Sequence, residues 1–151
     1  MQEVSPHAFA VVRTIASALK APLDDVCAGL VRPDIAGRRG MDWTSFSQLC
    51  DRLLGRCGSA SALAAQGACA VAVPELGPSV RILRAVAGCR GLYWANFRWG
   101  GPRSFRVLST SFSVRADGRF DGTIRIPESH RAREAFFHLT AGVFRALPRA
   151  L

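Results

Sequence analysis

The sequence predicts an α+β fold: N-terminal helices followed by a small antiparallel sheet and a packed C-terminal helix. Three observations carry this. Apolar residues recur at helical spacing in the first part of the chain, as in Val11, Val12, Ile15 and Leu19. From Ser104 the period changes to two, and the alternation turns back at Asp117-Gly118, a strong hairpin signal. After Pro127 the helical period returns in Phe136, Leu139, Val143, Phe144 and Leu147.

Taken in order, Ser5-Pro6 reads as an N-cap with proline at the first helical position. A second, short helix is expected from Pro22, with Asp24 and Asp25 where negative charge suits the helix dipole. Its apolar face is Leu23, Val26, Cys27 and Leu30. Arg32 to Gly40 reads as a polar loop. Asp42 caps a helix carrying Trp43, Phe46, Leu49, Cys50, Leu53 and Leu54, which Gly58 ends. An alanine-rich helix from about Ser61 to Ala70, interrupted by Gly67, comes next, and after Pro78 another with Val80, Leu83, Val86 and Ala87.

The aromatic, glycine-punctuated stretch 88–101 predicts a short helix running into a turn at Gly100-Gly101-Pro102. In the first strand Phe105 and Val107 share one face and Leu108, Phe112 and Val114 the other, which predicts a bulge near Leu108. Phe120, Ile124 and Ile126 alternate on the return strand. Ser129 is placed to cap the last helix, and Gly142 to let that helix approach the sheet.

At 151 residues the chain is expected to be one domain over 1–151. It ends while still apolar, which suggests part of a longer polypeptide. No apolar run approaches the roughly 18 residues that span a bilayer, and no secretory signal opens the chain. A cytoplasmic protein with no membrane partner is the expectation. The net charge is +9, carried by nineteen arginines and a single lysine, Lys20. Residues 1–75 hold seven basic and seven acidic groups, whereas 76–151 hold thirteen against four. That excess suits an anionic ligand or an acidic partner. Without a recognition motif beside the charge, nucleic acid is not the expected partner.

Five cysteines without a Cys-x-x-Cys pair exclude a disulfide framework or a compact zinc site as the leading expectation. Cys50 and Cys57, seven apart, read as core thiols, and Trp43 and Phe46 as core rings. The carboxylates are scattered, and neither a Ser/His/Asp pattern nor a phosphate-binding glycine loop is present. The chain is therefore expected not to be an enzyme. The residues that can bind a ligand lie in two groups. Tyr93, Trp94, Phe97, Trp99 and Phe105 crowd five aromatic rings into thirteen residues, enough for an apolar wall. Ser129 and Arg131 bring a hydroxyl and a guanidinium to a helix start, where a carboxylate or phosphate can sit.

Four stretches resemble sensory N-terminal domains of bacterial signalling proteins, particularly those ahead of histidine kinases: residues 41–46, 92–94, 102–105 and the run from Phe136 to Pro148. More distantly the chain is similar to haem nitric-oxide/oxygen-binding (H-NOX) domains, to vinyl-4-reductase-type sensors, and to the effector half of arabinose-type regulators. The first resemblance implies a non-catalytic sensory domain that binds a small apolar or amphipathic ligand and controls an output domain, with a homodimer possible. The H-NOX pattern Tyr-x-Ser-x-Arg falls on Pro127-Glu128-Ser129-His130-Arg131, so Ser129 and Arg131 match and the tyrosine does not. The iron-ligating histidine would fall near Arg90, where the nearest side chains able to ligate are Cys89 and Tyr93. Haem, and any other cofactor, is therefore not expected. Two other readings stay open: a ligand-free docking module that uses the basic half, and an effector domain of a transcription regulator. A sensor should be hollow near Trp99, whereas a docking module should be solid there.

Overall fold

The computed structural model describes residues 2–69 and 88–149. The expected helix around Val80, Leu83, Val86 and Ala87 lies outside them. The fold is α+β, with helices before and after a two-stranded antiparallel sheet.

Helix α1 spans Pro6–Ala18. The Ser5 hydroxyl accepts the Ala8 N–H at 3.3 Å and Pro6 fills the first turn, so the predicted cap forms. Helix α2 is Leu23–Cys27, with Val26 and Cys27 buried. The predicted loop at 32–40 is instead helix α3, Pro33–Arg39. Proline at its start, Asp34 in its first turn, Arg38 and Arg39 in its last, and Gly40 as its cap are all favourable end signals. Only Ala36 is buried, so the helix lacks the apolar stripe by which a helix is read.

Helix α4, Trp43–Cys57, carries its predicted caps: Asp42 accepts the Ser45 N–H at 2.8 Å, and Gly58 closes the helix at φ 77°. Helix α5, Ala60–Cys69, runs straight through Gly67. Residues 88–95 form α6, which widens into a π turn at Asn96–Gly100 and continues as α7, Gly101–Ser104. The turn expected at Gly100-Gly101-Pro102 is therefore helical; Pro102 stands at the start of α7, where its missing N–H costs nothing.

Strand β1, Ser109–Val114, pairs with β2, Phe120–Arg125, from Ser109 opposite Arg125 to Val114 opposite Phe120. The strand starts five residues later than its alternation suggests, because Phe105 is used in an isolated bridge to Val4. At the hairpin, Gly118 has φ 80°, and the Arg115 N–H reaches the Arg119 carbonyl at 2.7 Å. Helix α8, Glu134–Ala146, ends in a 3₁₀ turn, Leu147–Arg149. Arg133, not Ser129, stands at its N-cap.

Two cores result. The larger joins α1, α4 and α8 around Trp43, Phe46, Phe105 and Phe136, whose ring centroids lie 5.0 to 6.4 Å apart. The smaller gathers Leu92, Tyr93 and Leu147, with Phe112, Val143 and Phe144 packed against them. Helix α8 contributes to both. Gly142 does permit a close approach, but to α5: a side chain there would collide with the Ala64 carbonyl. Gly67 on α5 meets the Leu139 carbonyl in the same way.

Candidate functional site

An apolar cavity of about 140 Å³ lies at the seam between the two cores. Ala8 and Val11 of α1, Phe46 of α4, Phe97 of the π turn, Ile124 of β2 and Val143 of α8 each contribute to its wall. Its polar lining comes from Asn96, Ser104, Thr110, Thr140 and His7. The Thr110 hydroxyl is already committed, donating to the Phe97 carbonyl at 2.6 Å and so tying β1 to the π turn. The side chains of Asn96, Ser104 and Thr140 make no hydrogen bond among the described residues, and they are free to meet a guest. A second, open cleft of about 270 Å³ runs along Tyr93, Phe120, Gly122 and Phe144. Gly122 is required there, since any side chain would strike the Phe97 ring.

The aromatic group that the sequence brings together is divided in three. Phe97 is buried, stacks on Phe144 at 5.2 Å and 15°, and lines both spaces. Phe105 lines the cavity from the larger core. Tyr93 lines only the cleft; its hydroxyl donates to the Phe144 carbonyl at 2.6 Å, and burial pushes its ionisation upward. That bond satisfies one of the carbonyls left open at the end of α8. Trp94 and Trp99 line neither space: they are 44% and 49% exposed and contact each other. A hollow does lie near this helix, but beneath Phe97 and Gly100.

Ser129 and Arg131 are also elsewhere. Ser129 Oγ lies 2.9 Å from His130 Nδ1, and His130 Nε2 lies 2.9 Å from Glu3. The other Glu3 oxygen accepts the Trp43 N–H at 2.9 Å, and the Trp43 indole donates to the Arg131 carbonyl at 3.1 Å. The Trp43 amide first, and His130 second, hold the Glu3 carboxyl below its ordinary range. Neither hollow reaches this chain of bonds, so it acts as a lock between the N-terminus and the corner before α8. Arg131 is exposed at that corner.

Sequence reasoning missed Asn96 and Thr140. Thr140 carried a signal, because it is a hydroxyl on the same stripe as Phe136 and Val143. Asn96 gave none, because the π turn aims it.

Among the described residues no three His, Cys, Asp or Glu side chains converge as metal ligands, and no helix is long and apolar enough to cross a membrane. No family model, curated protein or solved structure matches the chain.

Proposed function

We propose that this chain is a non-catalytic sensory or regulatory domain in the cytoplasm, and that its ligand is a compact, largely apolar molecule bound in the seam cavity. The observation that carries this is one apolar hollow bordered by α1, α4, the π turn, both strands and α8. A mainly apolar space of about 150 Å³ is large enough for a benzene-sized guest. Asn96 and Thr140 would take a single polar group of that guest. Occupancy would change how the hairpin and π turn seat on α8, and an attached or partner output domain would read that change. A histidine kinase is the output that the resemblance implies. The hollow speaks for this reading over a ligand-free docking module, whose interior would be filled.

The test is native mass spectrometry and an ultraviolet–visible spectrum of protein purified from cells, with Val143→Phe as the filled-cavity variant. A small molecule carried by the wild type and lost in the variant supports the sensor. A clean apo mass, with no thermal shift from a panel of monocyclic and aliphatic compounds, refutes it. A Soret band would mean haem and a different pocket.

A further inference from the structure

The helical run 88–104 has an inner face, with Leu92, Tyr93, Ala95 and Phe97 buried, and an outer face that carries Trp94 and Trp99. In an α-helix, residues five apart point about 140° from one another. The π turn removes that divergence. Its wide loop, closed by the Gly101 N–H on the Asn96 carbonyl, brings the two rings to a centroid distance of 4.9 Å at 76°. Such widened turns are rare and concentrate at functional positions. Trp43 shows the contrast: it is buried and its indole N–H is bonded, whereas those of Trp94 and Trp99 have no partner among the described residues.

The same segment is rich in cations. Arg90, Arg98, Arg103 and Arg106 are all exposed, and none is paired with a carboxylate among the described residues. Residues 88–106 contain no Asp or Glu. We infer that this outer face docks on an anionic membrane surface, with the tryptophans at headgroup level and the arginines on lipid phosphates. A surface of this kind needs no spanning segment, and the inference does not depend on the seam ligand.

The geometry favours lipid over the other anionic partners. The edge of one indole covers the face of the other, which denies successive nucleic-acid bases a pair of parallel platforms. The charge of the segment 88–106 has one sign, which matches a plane of like headgroups better than the mixed signs of a protein surface. A second copy of a chain at +9 would be repelled.

The experiment is co-sedimentation of the whole chain with phosphatidylcholine vesicles, with and without phosphatidylglycerol, read together with tryptophan emission. Binding to the anionic vesicles alone, with a blue shift, is expected. Trp94→Ala with Trp99→Ala should lower the partition coefficient at least tenfold at unchanged thermal stability. Arg98→Gln should lower it about fivefold, one basic contact at an anionic surface. Three results would overturn the inference: no sedimentation with either vesicle, equal binding by the double variant, or tighter binding to oligothymidylate that the double variant abolishes.

Discussion

Replacing Gly142 by alanine sets two effects of known sign against each other. Alanine is the better helix former, and in an open helix interior the change stabilises by about 1 kcal/mol. At Gly142 the added Cβ would stand 2.7 Å from the Ala64 carbonyl carbon and 2.9 Å from its Cα, and closer still to the oxygen. Unstrained carbon pairs sit at about 3.5–4.0 Å, so α5 and α8 must separate by roughly an ångström. Because the obstacle is backbone, no rotamer change relieves it. Overpacking costs about 1–3 kcal/mol, and the upper end applies to an obstacle of this kind. Subtracting the propensity gain leaves a loss of about 2 kcal/mol, or about 4–8 °C in Tm for a chain near this length. Gly55→Ala is the internal control, since a Cβ at that position of α4 meets nothing within 4 Å; it should gain about 0.5–1 kcal/mol. Urea unfolding of both variants by circular dichroism measures the two signs. If Gly142→Ala is as stabilising as Gly55→Ala, the α5–α8 contact is not the one described.

Glu3 supplies a pH dependence. Its carboxyl is lowered in the fold, so its contribution is fully present above the ordinary value of 4.5 and is lost as pH falls through the folded value. Glu3→Gln should therefore cost stability at neutral pH and converge with the wild type in acid, as measured by denaturant unfolding at each pH. Tyr93→Phe removes the bond to the Phe144 carbonyl and should cost about 1 kcal/mol in the same assay. With a thiol reagent, Cys69 and Cys89 should react in the native state, while Cys27 and Cys50 should react only on unfolding, since both are buried and burial pushes both thiols up. If a seam ligand is found, hydrogen exchange should slow in β1 and β2 on binding and stay level in the α5–α8 contact.

Where a helix end carries its own chemistry, the sequence is enough. Ser5, Asp42, Gly58 and Gly118 each do what their residue type predicts, because caps and hairpin turns are decided within four residues. Helix α3 shows the limit: it has good ends and no apolar stripe, and Ile35 is left 41% exposed. The aromatic segment fails for a different reason. Periodicity can say that five rings crowd together, but a π turn re-phases everything after it and leaves no compositional mark. Tyr93 and Phe97 turn inward at ordinary i, i+4 spacing, whereas the π turn re-aims Trp99 to the outer side beside Trp94. The seam cavity is further from reach still, since residues as distant as Ala8 and Val143 meet only in the folded chain. The helix start that Ser129 and Arg131 were to serve lies at Arg133, and a bond network around Glu3 holds their corner.

The same packing decides which part of the molecule can answer a ligand. Helix α8 is held to α5 at two glycines where backbone meets backbone, at Gly67 against Leu139 and Gly142 against Ala64. Shifting α8 alone would break both contacts, and dense packing resists small continuous shifts. The hairpin is the opposite case: two strands, mostly exposed and, among the described residues, paired only with each other. A two-stranded ribbon has little stability of its own, and this one depends on Phe97, Phe112 and Phe144 and on the Thr110 bond to the π turn. A guest that touches Ile124, Asn96 and Val143 together therefore gains most by fixing the ribbon against a helix that already stands still. On the proposed reading, the differential affinity that a switch needs comes from ordering the hairpin, and α8 is the rail along which it is read.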